Sequence, residues 1–377
     1  MTGVHPLFEP FDGSPLSNDW TLSKGVQVDA DGLRLTTDEP EQAGLALLSA
    51  ESFPAGSDLV IDFDYAVTGG QGVGGLGDGF SVLLLKSGTD APGAHGAGLG
   101  YSFVNYGKLY ESGVADGYVG IGFDTFGDFA TGLTGTGGTD RRPDDVGVRG
   151  AGSRFEGFPW LGGAAVEGGF RGGWADGRHA QVWVAGGHLR VTLWSADRPE
   201  PNVVVKDLDV RAQLKEPFMI AFAAATGDAT AEHRIRNVEV TLPASVSLGV
   251  DAPAEVKPGE PLTYTMTVWI TGLNDCPDAV VHATLSPHLT VLEGPGCSDF
   301  NYASHGQGSI VSGVLTQPVS FPAPTDAADK PMETVTLRCM PAPGYEGDVQ
   351  FDAWVTTESR VNTSDQSRDS KRTVVRS

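Results

Sequence analysis

The chain has 377 residues, enough for two domains with sizeable cores, and a formal net charge of −23. A polyanion of this kind repels nucleic acid and anionic membrane surfaces but is compatible with neutral glycans and divalent cations. Its 52 glycines and 24 prolines are spread through apolar runs without a fixed period, which excludes collagen and favours an all-β chain with many turns.

The first stretch, Met1-Thr2-Gly3-Val4-His5-Pro6, lacks a basic region and an apolar core, so it does not read as a signal peptide. No apolar run approaches the ~20 residues that a membrane helix needs. Leu59 to Tyr65 reads as a strand, and Asp62 and Asp64 share one of its faces because side chains alternate with period two. Twelve glycines lie between Gly69 and Gly100. Apolar residues interrupt them, so the stretch reads as two loops flanking a strand from Phe80 to Lys86. Gly120-Ile121-Gly122-Phe123-Asp124-Thr125-Phe126-Gly127-Asp128 reads as a strand running into a tight turn, with carboxylates at its end and four residues on. Trp174 to Arg178 is a turn. After it, Ala180–Val184 and Leu189–Trp194 form a hairpin around Ala185-Gly186-Gly187-His188, because glycines supply the positive φ of a tight turn. Phe218 to Gly227 is an apolar strand ending in a small-residue loop, and Arg234 to Leu242 is the last strand of a first domain.

The composition shifts near Thr241-Leu242-Pro243-Ala244. A Pro-Gly turn at Lys257-Pro258-Gly259-Glu260 then feeds an alternating strand, Pro261 to Val268. We therefore expect domains over 1–242 and 243–377, with net charges of −15 and −8. The three cysteines, Cys276, Cys297 and Cys339, all fall in the second domain. Cys297 and Cys339 both follow strand-like runs, which favours a bridge between them and leaves Cys276 outside it; a bridge from Cys276 to either, or three thiols, stays open. Asn362-Thr363-Ser364 is formally a glycosylation sequon.

Two segments carry a resemblance: Gly120 to Asp128, and Phe218 to Gly227 followed by Glu232-His233-Arg234-Ile235. Together they resemble the legume-type (L-type) lectins, over roughly residues 5–242. The resemblance implies a concanavalin A-like antiparallel β-sandwich that binds sugar in a Ca²⁺-dependent way. In such a loop Asp124, the Phe126 carbonyl and Asp128 match calcium ligands. No Asp stands near Leu133, so Asp140 takes the role of the later one. Asp145, a further candidate metal ligand, stands where the family has a His, and Gly122 stands where it has a Glu. The transition-metal site is therefore expected to be missing. Gly77-Asp78-Gly79-Phe80 resembles the sugar-binding Ala-Asp-Gly motif, which gives Asp78 the carboxylate role after a cis peptide. Gly96 to Tyr101 resembles the Gly-rich amide loop, centred on Gly98 to within two residues. Phe126 is the aromatic platform, Asp128 can only accept where the family's Asn donates, and Asp228 lies in a further recognition loop. His233 matches a family position where packing is the expected role.

The second domain resembles the immunoglobulin-like repeats that follow adhesive domains in bacterial surface proteins. Together these resemblances imply an extracellular or cell-surface lectin or adhesin whose partner is an oligosaccharide or cell-surface glycan. A homo-oligomer or larger surface assembly is compatible with them. The rival is a structural or protein-interaction module on a lectin scaffold. A glycosidase ranks third: the Glu-x-Asp-x-x-Glu pattern is absent, and Asp62 with Asp64 is the only comparable pair on a strand. The chain is therefore read as a binding protein, not an enzyme.

Overall fold

The computed structural model describes residues 7–49, 52–86, 88–108, 110–270, 274–295, 309–311, 313–322, 331–357 and 366–377. The chain is all-β with antiparallel sheets, as its short alternating runs predict. Among the described residues the helical segments are three short 3-10 turns, Gly96–Gly98, Asp128–Ala130 and Trp174–Asp176. None of the described helices is long and apolar enough to cross a membrane. The strands form two compact units, Met1–Thr241 and Leu242–Ser377.

The first unit has two large sheets. In the nine-stranded sheet, Gly117–Asp124, Gly79–Lys86, Phe218–Ala225 and Ala43–Leu48 are successive neighbours. In the eight-stranded sheet, His188–Ser195, His179–Ala185, Leu59–Thr68, Glu232–Thr241 and Gly32–Thr36 follow one another. The sheets face each other through aromatic rings. Phe63 of the eight-stranded sheet lies 6.3, 5.9 and 5.1 Å from Phe80, Phe123 and Phe222 of the other. Each such ring contributes about 1.5–3 kcal/mol on burial.

Phe218–Ala225 is buried at all eight positions. Alternation explains this, because its two faces meet different partners. Phe222 points at Phe63 between the sheets. Met219, Ala221 and Ala223 join a second cluster with Leu83, Leu85, Leu99, Tyr101, Phe129 and Phe158. That cluster presses the 96–103 and 128–131 loops onto the outer face of the sheet. Small residues make room for it: a Cβ on Gly120 would come within 2.2 Å of the Tyr101 ring, and one on Gly122 within 2.6 Å of Phe129. The predicted hairpin is present, with Ala185 opposite His188 and with Gly186 and Gly187 at φ of 57° and 77°.

The second unit packs a four-stranded sheet on a six-stranded one. Leu262–Ile270 buries every other residue, as its alternation predicts. Tyr264 stacks across the core on Phe351 at 4.1 Å. One pair, Glu255–Val256 with Arg368–Val375, is parallel. Cys276 and Cys339 are buried in this core. Cys297 and the Asn362 sequon lie outside the described residues, so the expected bridge does too.

Candidate functional site

Three loops meet at the end of the nine-stranded sheet. The first leads into Gly79–Lys86. Its Gly77–Asp78 peptide bond is cis, as the resemblance implies. Gly77 leaves no room for a side chain: a Cβ there would stand 2.8 Å from Ala229 and 3.1 Å from the Phe126 Cβ. Its neighbour Asp78 is pinned by its backbone. The Asp78 N–H donates to Ala225 O at 3.1 Å, and its carbonyl accepts from Thr125 and Phe126 at 2.9 and 3.1 Å. The three loops are thus cross-linked around one carboxylate.

That carboxylate is 4% exposed, and its Oδ2 is buried without a hydrogen-bond partner. Gly96 and Gly227 flank it; a Cβ on Gly227 would approach Oδ2 to 3.0 Å. Burial pushes Asp78 up to about 7, and the charges of Asp128 and Asp228 add to this, while Arg141 and the nearby Gly227 N–H, whose own hydrogen bond goes to Ala229 O, pull the other way. Asp78 forms part of the wall of a cavity of about 440 Å³, with Gly96, Tyr106, Phe126, Asp128 and Asp228 among its other lining residues.

The structure therefore brings Asp78, Phe126, Asp128 and Asp228 to one pocket. Gly98 lies apart from it, buried in the turn where a Cβ would meet Ala94 at 2.9 Å; Gly96, two residues earlier and within the stated margin, lines the wall instead. Sequence reasoning missed His95, Tyr106 and Glu111. His95 Nε2 lies 2.7 Å from Glu111 Oε1, and Tyr106 is 49% exposed at the rim. The adjacency of His95 to the glycine loop was the available signal for the first of these.

The cation loop is arranged differently. Asp124 is fully buried, but its Oδ1 and Oδ2 accept the Gly127 and Phe129 amides of its own loop, each at 2.7 Å. Burial holds it well above the ordinary carboxylate range despite these bonds. Asp145 pairs in register with Asp124 and is also fully buried. Arg142 Nε sits 2.9 Å from its Oδ2. Burial raises Asp145 to about 6, and Arg142 opposes the rise. The Phe126 carbonyl accepts Arg141 Nε–H at 2.9 Å. The same guanidinium lies 3.7 Å above the Phe126 ring and 3.7 Å from Asp128 Oδ1. Asp140 is exposed.

A calcium ion needs six to eight oxygens at about 2.3–2.6 Å. Among the described residues, no three His, Cys, Asp or Glu side chains gather closely enough to hold a metal ion. Of the expected donors, Asp124 accepts two amides and the Phe126 carbonyl accepts from Arg141; Asp145 is charge-paired with Arg142 although neither of its buried oxygens has a hydrogen-bond partner, and Asp128 has Arg141 3.7 Å away. The donor set does not fit Ca²⁺. Gly122, where the family has a Glu, pairs in register with Gly147, and the Phe129 ring packs against both.

A buried arginine holds the outer part of this loop. Arg149 is 0% exposed. It donates to the carbonyls of Phe129, Phe158 and Thr131 at 2.8, 2.7 and 2.5 Å. Burial lowers it to about 10, so it stays charged at neutral pH.

No protein-family model matches the chain, and no curated protein matches it by sequence. Several solved structures resemble it. The exoplasmic/lumenal domain of VIP36, in its Ca²⁺/Man-bound form, is 21% identical, with a TM-score of 0.46 over 63% of this chain and 89% of that one. Basic winged bean lectin with Tn-antigen is 16% identical, with a TM-score of 0.47 over 62% and 97%. Lectin I-B4 from Griffonia simplicifolia, in a metal-free form, is 17% identical, with a TM-score of 0.43 over 62% and 98%.

Asp62 and Asp64, the strand pair comparable to catalytic carboxylates, lie elsewhere, on Leu59–Thr68 of the eight-stranded sheet. Both are engaged by His179: Nδ1 stands 3.0 Å from Asp64 and Nε2 3.3 Å from Asp62. His233 is buried, and its Nδ1 lies 2.7 Å from Thr36 Oγ1. Burial lowers its pKa to about 3, so it packs as a neutral ring.

Proposed function

We propose that the pocket around Asp78 binds a saccharide and that the chain is a binding protein, not a catalyst. One observation carries the reading: Asp78, whose buried Oδ2 has no hydrogen-bond partner, forms part of the wall of a cavity of about 440 Å³. Burying such a group without a partner is costly unless a ligand supplies donors. Sugar hydroxyls are neutral donors of the right kind. The exposed Tyr106 and the partly exposed Phe126 offer apolar surface for a sugar ring. Arg141 covers one face of Phe126, so a sugar can stack only on what it leaves open.

The net charge of −23 favours a neutral glycan over an acidic one. An oligosaccharide or cell-surface glycan outside the cell is the partner this reading implies. Residues 243–377 are proposed as an immunoglobulin-like spacer or assembly module. The Ca²⁺ dependence expected from the resemblance is not retained, because the donor set does not fit the ion.

The test is a panel of immobilised neutral glycans probed with the full chain and with Asp78→Ala. Retention of the unaltered chain on some glycans, lost in the variant, is the expected result. Equal retention of both would place the site elsewhere, and no retention of either would end the saccharide reading.

A further inference from the structure

The disagreement between the cation loop and its expected ion has a structural counterpart in two consecutive residues, Arg141 and Arg142. They follow Asp140 on the stretch that closes over the loop. The Arg142 N–H donates to Gly127 O at 3.0 Å, which anchors that stretch to the turn after Asp124. A Cβ on Gly127 would stand 2.4 Å from Pro143 N, so the two strands of the loop touch through backbone. From this anchor the side chains reach separate acceptors. Arg141 donates to the Phe126 carbonyl and flanks Asp128; Arg142 sets its charge 2.9 Å from the buried Asp145 Oδ2, as an ion pair without a hydrogen bond.

These acceptors are the oxygens expected to ligate the cation. A guanidinium is a fixed, always-charged fork that donates to carbonyl and carboxylate oxygens. It can neutralise the same groups that a divalent ion would. The two cannot share them: a cation bound to the Phe126 carbonyl would lie against the Arg141 charge, and like charges at such distances repel. Of the two other expected ligands, Asp124 accepts the amides of Gly127 and Phe129, and Asp140 is exposed.

We propose that the Arg141–Arg142 pair takes the place of the divalent cation, so that the loop forms and the Asp78 pocket is shaped without metal. The consequence for sugar binding rests on the saccharide reading; the substitution itself does not. The protein carries its own cations, and its pocket is independent of the calcium concentration around it.

The test uses the full chain after dialysis against EDTA, with no sugar present. Calorimetric titration with CaCl₂ and with MnCl₂ should show no binding. The melting temperature should agree within about 1 °C between EDTA and millimolar CaCl₂. Uptake of one Ca²⁺ with a rise in melting temperature overturns the proposal. The Arg141→Gln, Arg142→Gln double variant should melt several degrees lower than the unaltered chain in EDTA. A double variant that melts at the same temperature also overturns it, since the pair would then not hold the loop. If that variant does not fold, the calorimetry on the unaltered chain still decides. Because no glycan enters either measurement, failure here is distinct from failure of the glycan panel.

Discussion

Two groups of carboxylates on the first unit look alike in the sequence and differ in the structure. Asp62 and Asp64 lie on a half-open strand face, where partners surround them. His179 reaches both, Gln181 donates to Asp62 at 3.1 Å, Asn237 donates to Asp64 at 2.8 Å, and Arg236 stands 3.6 Å from Asp64. Asp78, Asp128 and Asp228 converge on a pocket, where Asp78 keeps a buried oxygen with no partner. The first group is electrostatically complete. The second is short of donors, and a ligand can provide them. Acid density alone does not mark a site; an unmet donor requirement at a cavity wall does.

Arg149 is the extreme case of the satisfied kind, and removing it should have the largest effect on stability. Arg149→Met would remove three charge-assisted bonds, leaving the Phe158 carbonyl without its donor while Thr134 Oγ1 still donates to those of Phe129 and Thr131 at 2.9 and 3.2 Å. At about 1.5–3 kcal/mol for each bond from a charged donor, the loss is at least about 3 kcal/mol. Urea denaturation should show the midpoint falling sharply, and an unchanged midpoint would mean that the three bonds contribute nothing.

On the unsatisfied side, Asp78→Asn should remove binding and spare the fold. Two sugar hydroxyls donating to a carboxylate contribute about 1.5–3 kcal/mol each, so affinity should fall by at least about a hundredfold. The buried carboxylate gains nothing from a protein partner at Oδ2, so the melting temperature should hold or rise. A large drop in melting temperature with glycan affinity intact would move Asp78 into the structural class.

Much of this contrast was legible in the chain. Period-two alternation located the strands, the Gly186-Gly187 pair located the hairpin, and the family resemblance of Gly77-Asp78-Gly79 pointed to the carboxylate that lines the pocket. These signals are local, set by a few neighbouring residues. The arginines are not local. Arg149 finds its acceptors on Phe129, Thr131 and Phe158, segments that only the fold brings together. Arg141 and Arg142 follow Asp140 directly, and nothing local in Asp140-Arg141-Arg142 shows that their acceptors are Phe126 and Asp145, which only the fold brings near. The two-residue offset from Gly98 to Gly96 has a similar origin, since the position nearest a ligand in a glycine-rich turn depends on which loops it packs against. Here Gly98 packs beneath, on Ala94 and Val104.

The satisfied pair also gives a pH signature. Burial alone would lower the pKa of His179, but hydrogen bonds to Asp62 and Asp64 outweigh it and raise it to about 9. A raised folded value means that the imidazolium stabilises the fold fully below its ordinary 6.5 and loses that contribution as pH rises through about 9. Asp64 is held below its ordinary 3.8, although burial works against this, so its share persists down to acidic pH. His179→Asn should therefore cost most between about pH 4 and 6.5, and its difference from the unaltered chain should vanish above about pH 9. The cluster is partly exposed, so solvent screening limits the loss to about 1 kcal/mol. Melting curves of both chains across this range check it, and a difference that grows with pH would reverse the assignment.

The smallest effect should come from Asp140, the one expected cation ligand that the structure leaves in solvent. Its side chain is exposed, and its carbonyl accepts the Thr139 hydroxyl at 2.8 Å, a bond that a side-chain substitution does not remove. If the neighbouring arginines neutralise the loop, Asp140→Ala removes a solvated charge and little else. Its stability should then stay within about 0.5 kcal/mol of the unaltered chain, with or without CaCl₂. A calcium-bound loop predicts a different result, because loss of a ligand would lower the melting temperature only when the ion is present. Melting the variant in EDTA and in CaCl₂ therefore separates the two arrangements. A calcium-specific drop would restore Asp140 to the ligand set and would mean that the Arg141 and Arg142 side chains yield their acceptors to the ion.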